Sequence, residues 1–169
     1  DGLAAGSAPA QALDHALTRN GYSQYRQVAV IDAQGRTALF SGSQALGTYH
    51  ALAGEQCVAA GNLLSDRAVI EAMVAAFEQS EGCLAARLLS ALQAGQAAGG
   101  EAGSVHSAAL SVVEDLTWPI VDLRVDWADE DPIGQLAELW RAYQPQLQDY
   151  LTRALNPTLA PSYGVPGDE

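Results

Sequence analysis

The residues best suited to chemistry lie in two glycine-rich stretches. Gly61-Asn62 follows an apolar run, and Gly99-Gly100-Glu101 begins a polar loop after a helical pattern. An Asn at a strand end could donate its amide to an oxyanion, and a Glu could orient an amine or accept a proton. A turn or helix cap at Asn62 and a solvated loop acid at Glu101 are the non-catalytic alternatives.

His106 and Ser107 form a third candidate group, where a strand is predicted to begin. Adjacent strand residues point to opposite faces, so these two side chains cannot form a Ser–His dyad with each other. The hypothesis is therefore that His106 lies in a substrate pocket and that Ser107, with the three glycines named above, contacts substrate. A packing role for His106 is the alternative.

Metal and thiol chemistry have weaker support. Asp126, Asp129 and Asp131 suit the positive N-terminal end of a predicted helix, and a metal site there is the alternative. Cys57 and Cys83 lack the paired spacing of a zinc motif and are interpreted as reduced, buried thiols. No two His residues have ligand spacing, so the sequence predicts no metal and no cofactor.

Composition limits the class of protein. The length of 169 residues favours one domain, placed at residues 1–156, followed by a loose tail at 157–169. A hydrophobic content of 49% indicates a globular chain. The net charge of -12, without a basic cluster, argues against nucleic-acid or anionic-membrane partners. No membrane-spanning run or leader peptide is apparent, so a cytoplasmic location is predicted.

Hydrophobic periodicity and turn residues predict the order of elements. Residues 42–54 are expected to be a polar loop, and strand 56–61, apolar throughout, is expected to be buried on both faces and to end at Gly61-Asn62. Strands and helices come in runs, which predicts antiparallel strands with helices packed on them, an α+β fold. The predicted elements are a helix at 8–19, a hairpin of strands 27–32 and 37–41, strand 56–61, helices 67–79 and 84–97 with Leu84, Leu88, Leu89 and Leu92 facing inward, strand 107–114, strand 120–126, in which apolar residues alternate with Asp122, Arg124 and Asp126, a helix after 131, and a further turn or helix after 146.

Four stretches in order resemble the bacterial Ntn-hydrolase-like family called domain-of-unknown-function family 1028. They cover most of residues 20–140 and read YRQVAVIDAQGRTALFSG, AAGNLL, LLSALQAGQAAGGEAGSVHSAAL and VDLRVDWADEDPI. The resemblance implies an αββα four-layer sandwich with mostly antiparallel sheets. It also implies that strands typical of the family's start precede this chain.

In the wider superfamily, an N-terminal Thr, Ser or Cys attacks an amide and its own α-amine acts as base. Asp1 has no hydroxyl or thiol, so the nucleophile is expected upstream of it. The resemblance thus implies an amidohydrolase of a small amide or peptide-like substrate, with Asn62, Glu101 and His106 completing the site.

The chain departs from the family pattern in the glycine-rich loop. The family typically has Gly-Gly-Asp-x-Arg-Gly before Gln-Ser, whereas here Glu101 replaces the Asp, the Arg is missing and His106 stands in place of Gln. The missing Arg favours an inactive small-molecule binding or assembly protein as the alternative. Three Trp residues and several Tyr, concentrated towards the C-terminus, suit a homo-oligomer interface, or equally a core.

Overall fold

The computed structural model describes residues 2–164. The chain divides into two compact units, Asp1–Val105 and His106–Glu169. Asp1 and the last five residues of the predicted tail lie outside the described part. The elements are α1 (Pro9–Thr18), β1 (Gln27–Ile31), β2 (Thr37–Ser41), β3 (Thr48–Gly54), β4 (Cys57–Leu64), α2 (Ala68–Gln79), α3 (Leu84–Ala97), β5 (Ala108–Val112), β6 (Val121–Val125), α4 (Pro132–Tyr143) and α5 (Leu147–Leu155).

The first hairpin forms as its sequence predicts. Strands β1 and β2 pair antiparallel, and the turn between them is held by the Asp32 carboxylate. One carboxylate oxygen accepts hydrogen bonds from the backbone N–H groups of Gln34 and Arg36, at 3.0 and 2.9 Å. Gly35 adopts a φ of 75°, which costs a residue without a Cβ little.

The second hairpin corrects two sequence predictions. Residues 48–54, expected within a loop, form β3 and pair antiparallel with β4. Strand β4 also runs beyond Gly61 to Leu64, and several of its residues are exposed, so it is not buried on both faces. The glycines suggested a loop, but pairing satisfies the backbone hydrogen bonds of both strands and overrides that local preference.

The core of the first unit lies under two helices that pack against each other, α2 and α3. A Cβ on Gly95 of α3 would lie 2.7 Å from Met73 Cγ of α2, so this glycine allows the close approach. Leu84, expected to face inward, is 46% exposed because it is the first residue of its helix. One core cluster comprises Leu64, Val69 and Ile70, with Leu52, Ala59 and Met73 packed against it.

The second unit is an antiparallel hairpin of β5 and β6, against which α4 packs. The predicted alternation of strand 120–126 is confirmed, since Val121 and Val125 are buried while Asp122 and Arg124 are exposed. After α4, a 3₁₀ turn containing Pro145 leads into α5. The buried residues of this unit include Leu110, Val112, Ile133, Leu136 and Trp140.

The architecture is mixed α+β with antiparallel pairing, as predicted. Within residues 2–164 the six strands form three two-stranded sheets. No helix in that range combines the length and the apolar character needed to cross a bilayer. The single domain over residues 1–156 stays a prediction, and so does the loose tail, whose first residues form a short 3₁₀ turn at Pro157–Leu159.

Candidate functional site

A β-bulge distorts the end of β4 where the first candidate residue lies. Between two aligned pairs of the β3–β4 ladder, β4 has two residues, Asn62 and Leu63, where β3 has one, Tyr49. Leu63 takes a left-handed φ of 53° and is 47% exposed. An extra strand residue changes the direction of its neighbours, and such bulges are frequent beside functional sites.

The segment before β3 supports this bulge. The Leu46 carbonyl accepts a hydrogen bond of 3.1 Å from the backbone N–H of Leu63. It also accepts a long one of 3.4 Å from Nδ2 of Asn62. Because a primary amide carries two N–H bonds, the exposed Asn62 side chain keeps one donor for a ligand.

The glycine-rich loop is hydrogen-bonded to the same strand end. The Ser65 N–H donates to the Gly100 carbonyl at 3.0 Å, and the Ala102 N–H donates to the Leu63 carbonyl at 2.8 Å. Glu101 lies between these two bonds and its side chain is exposed. Backbone hydrogen bonds therefore hold the loop at this strand end, and the Glu101 carboxylate remains exposed.

The glycines of this region have either a positive φ or a close neighbour. Gly99 has a φ of 120°, and a Cβ there would lie 2.5 Å from Ser65 Oγ. Gly100 has a φ of 57°, which L side chains rarely adopt. A Cβ on Gly61 would lie 3.0 Å from Leu64 Cδ2. All three predicted substrate-contact glycines thus have structural reasons for their identity, and contact with substrate stays a prediction.

The first unit therefore brings two predicted groups to one place. Gly61-Asn62 at the bulge and Gly99-Gly100-Glu101 in the loop meet at the end of β4, although nearly 40 residues separate them in sequence. Sequence reasoning missed Leu46, Leu63 and Ser65, which hold them there mainly through backbone atoms. No side-chain pattern reports such contacts.

His106 lies in the second unit, and its ring is already engaged. Its Nδ1 is 2.9 Å from the Ala128 carbonyl oxygen, and the Ala128 N–H donates back to the His106 carbonyl at 2.8 Å. The ring stacks on Trp127, with centroids 4.3 Å apart and planes 3° apart. A carbonyl only accepts, so Nδ1 carries the proton and Nε2 of the neutral ring keeps its lone pair.

The register of the β5–β6 hairpin explains this stack. Ala108 pairs with Val125, so continuing the ladder by two residues places His106 opposite Trp127. A sequence reading that paired the two strands could have found this partner. Ser107 precedes β5 and is exposed, and its contact with substrate stays a prediction.

The acids near the start of α4 each have a different protein partner. Asp126 accepts from the Arg124 guanidinium at 2.7 Å, Asp129 from the Trp127 indole N–H at 3.2 Å, and Asp131 from the Gly134 N–H at 2.9 Å. Asp131 is the N-terminal cap of the helix, in agreement with the predicted acidic helix start. Across residues 2–164, no three His, Cys, Asp or Glu side chains are grouped as metal ligands would be.

The two cysteines differ from the expected buried pair. Cys83 is exposed, because it lies in the turn immediately before α3, and Cys57 is partly buried on β4. Burial raises the pKa of the Cys57 thiol above its usual value, and the charge of Glu78 adds to that rise. A raised thiol pKa lowers the thiolate fraction at neutral pH, so Cys57 is a poor nucleophile.

The protein is an antiparallel α+β protein in which a glycine-rich loop is hydrogen-bonded to a bulged strand end. The chain belongs to the family of unknown function DUF1028, whose model matches residues 1–136. This confirms the resemblance seen in the four sequence stretches. The family description assigns no activity.

A solved relative supports the family and the fold. The crystal structure of protein SPO2555 from Silicibacter pomeroyi, a DUF1028 protein, aligns with a TM-score of 0.74 and 34% sequence identity. The alignment covers 82% of this chain and 61% of that protein, so this chain spans less than two thirds of the relative's length. No curated protein matches the chain.

Proposed function

We propose that the protein hydrolyses a small amide or peptide-like substrate by an N-terminal nucleophile mechanism. The observation that carries the proposal is the meeting of Asn62 and the Gly99–Glu101 loop at the bulged end of β4. An exposed amide donor and an exposed carboxylate then lie on two segments that backbone hydrogen bonds join. Amide hydrolysis needs a donor for the developing oxyanion and a group that handles protons.

The roles follow from the free atoms of these side chains. The second N–H of Asn62, which the bond to Leu46 leaves unused, would donate to the oxyanion of the tetrahedral intermediate. Glu101 would orient the leaving amine or accept a proton. The nucleophile would be a Thr, Ser or Cys upstream of Asp1, with its own α-amine, of pKa roughly 8, as base.

The finer features of the proposal concern the whole protein. We propose that strands outside this chain complete an αββα four-layer sandwich around the two hairpins of the first unit. We also propose that the protein is cytoplasmic, acts on a small molecule and assembles as a homo-oligomer. The chain covers 61% of SPO2555, which leaves room in a full-length protein for the added strands.

The decisive experiment uses the protein made from its complete gene. Its N-terminal residue is determined by intact mass and N-terminal sequencing, and hydrolysis is then screened on a panel of small amides. The expected result is a free Thr, Ser or Cys whose change to Ala abolishes turnover without unfolding the protein. A mature chain with a blocked or non-nucleophilic first residue would refute this mechanism.

A second function is favoured by the composition of the loop. Ala102 and Gly103 follow Glu101 where the family typically carries an Arg, so the loop lacks a bidentate group for a substrate carboxylate. The alternative is therefore a catalytically inactive relative that binds a small molecule or serves in assembly. A bound metabolite in the purified full-length protein, together with an inert N-terminus, would favour it.

A further inference from the structure

A cavity in the first unit is separate from the residues assigned above. It has a volume of about 270 Å³ and is bordered by β2, β3 and the start of α2. Residues with hydrogen-bonding side chains line part of it, and residues with aliphatic or aromatic side chains line the rest. The lining residues are Ser41, Tyr49, His50 and Arg67, with Leu39, Phe40 and Ala51.

Arg67 is the positively charged residue that lines this cavity. Within residues 2–164, the ion pairs with Arg involve Arg36 and Arg124, and no carboxylate lies within ion-pair distance of Arg67. The neighbouring Asp66 uses its carboxylate to accept from the Ala68 N–H at 2.8 Å. In a chain with 20 acids and 8 bases, an unpaired guanidinium beside a cavity is well suited to an external anion.

The Gln27 side chain is hydrogen-bonded to two of the residues that line the cavity. Gln27 Nε2 donates to Ser41 Oγ at 3.0 Å and to the His50 carbonyl at 3.2 Å. These two bonds link β2 of the first hairpin to β3 of the second. Because the Ser41 oxygen accepts from Gln27, its own hydroxyl hydrogen remains to donate to a ligand.

The surrounding charges select the kind of anion. Glu71 Oε1 lies 4.0 Å from His50 Nε2, which places a negative group beside the cavity. Like charges repel, so a singly charged ligand suits this place better than a doubly charged phosphate. Leu39, which shares a face of β2 with Ser41, offers an apolar contact to a short hydrocarbon tail.

We propose that this cavity binds a small monocarboxylate with a short apolar tail. The planar fork of Arg67 would hold the carboxylate through two hydrogen bonds, and the Ser41 hydroxyl would add a third. The tail would lie against Leu39, which is on the same face of β2 as Ser41. The proposal does not depend on amide hydrolysis or on the residues at the end of β4.

The test measures ligand binding to the full-length protein by saturation-transfer NMR, with butyrate as the probe. Butyramide, which has nearly the same shape without the charge, is the control ligand. We expect saturable butyrate binding, and no saturable binding of butyramide. Butyramide binding as tight as that of butyrate would overturn the proposal.

Three variants assign the binding to this cavity. Arg67→Gln is expected to weaken butyrate binding by about tenfold or more, because a charge-assisted pair is lost. Arg67→Lys keeps the charge but not the planar guanidinium, so its affinity for butyrate should lie between those of Arg67→Gln and the wild type. The matched control Arg19→Gln should bind butyrate as the wild type does. Unchanged affinity in Arg67→Gln would refute the assignment, and so would inorganic phosphate displacing butyrate more strongly than acetate does.

Discussion

The end of β4 in the first unit and the start of β5 in the second unit hold their polar residues in opposite ways. At β4, backbone hydrogen bonds at Leu63 and Ser65 fix the loop, and the side chains of Asn62 and Glu101 remain exposed. At β5, the His106 ring itself is hydrogen-bonded and stacked on Trp127.

This difference separates groups free to bind from groups already used. A side chain contributes to catalysis only if its polar atoms can reach the substrate, and backbone bonding leaves them free to do so. The His106 ring is stacked on one face and hydrogen-bonded at Nδ1, so most of its contacts stabilise the fold. The comparison therefore makes Asn62 the stronger catalytic candidate and His106 the stronger structural one.

The largest effect is expected from removing the free donor. Under the proposed mechanism, Asn62→Ala should lower kcat of the full-length protein by about 10²–10³-fold, because one oxyanion donor is lost. The free energy of unfolding should change by less than about 1 kcal/mol, since the side chain is exposed and its bond to Leu46 is long. Steady-state kinetics and urea unfolding measure both quantities.

The matched control for that variant is Asn20→Ala, at an exposed turn whose side chain accepts a hydrogen bond from the Tyr22 N–H. It should leave kcat unchanged. Equal activity of Asn62→Ala and the wild type would remove Asn62 from the mechanism and end the contrast between the two regions.

The next largest effect concerns the loop that carries Glu101. Gly99→Ala should lower the free energy of unfolding by about 2–3 kcal/mol, because a Cβ is strained at the φ of 120° and would clash with Ser65 Oγ. Gly103→Ala is the control, since a Cβ there would meet no atom within 4 Å. Urea unfolding of both variants is the measurement, and equal stability would show that the loop can be rebuilt without its glycine.

His106→Ala should lower the free energy of unfolding by about 1–2 kcal/mol, because both the stack on Trp127 and the bond to the Ala128 carbonyl are lost. His106→Phe keeps the stack and should lose less. His15→Ala, on the exposed face of α1, should be neutral. If His106→Phe keeps its stability but loses activity, His106 is a pocket residue, as the sequence predicts.

The smallest expected effect concerns the ionisation of Asp32. Its carboxylate accepts hydrogen bonds from backbone N–H groups, whereas that of Asp126 accepts from the Arg124 side chain. Burial raises the pKa of Asp32, but the hydrogen bonds and charge of Arg36 and the N–H of Gln34 outweigh it and hold the pKa below 3.8. The ionised form therefore stabilises the fold above the unfolded pKa, and this contribution is lost as the pH falls through the folded value. The exposed Asp126 carboxylate accepts from the Arg124 side chain and, within residues 2–164, from no backbone N–H.

Asp32→Asn should therefore reduce the free energy of unfolding at pH 7, and its difference from the wild type should shrink as the pH falls below about 4. Thermal unfolding across that range measures it. Asp126→Asn is the comparison variant: at pH 7 it should reduce the free energy of unfolding by less than Asp32→Asn does, because it removes an exposed ion pair with Arg124 and, within the described residues, no backbone hydrogen bond. A constant difference for Asp32→Asn would mean that ionisation of this carboxylate plays no part.

Local patterns accounted for those parts of the chain whose structure depends on near neighbours. The hairpin turn at Asp32–Gly35, the helices Ala68–Gln79 and Leu84–Ala97 and the alternation of Val121–Val125 could all be predicted. In each of them, capping, turn chemistry or periodicity acts over a few residues. The sequence motifs also predicted the family, which the match over residues 1–136 confirms.

Tertiary structure decided what depends on distant pairing. Strand β3 forms because β4 satisfies its backbone hydrogen bonds, and at the bulge two residues of β4, Asn62 and Leu63, lie opposite one residue of β3. Backbone hydrogen bonds to Leu63 and Ser65 position the loop that carries Glu101. His106 meets Trp127 through the register of a hairpin. Sequence alone thus determined which residues have reactive groups, and long-range backbone hydrogen bonds decided which of those groups stay free.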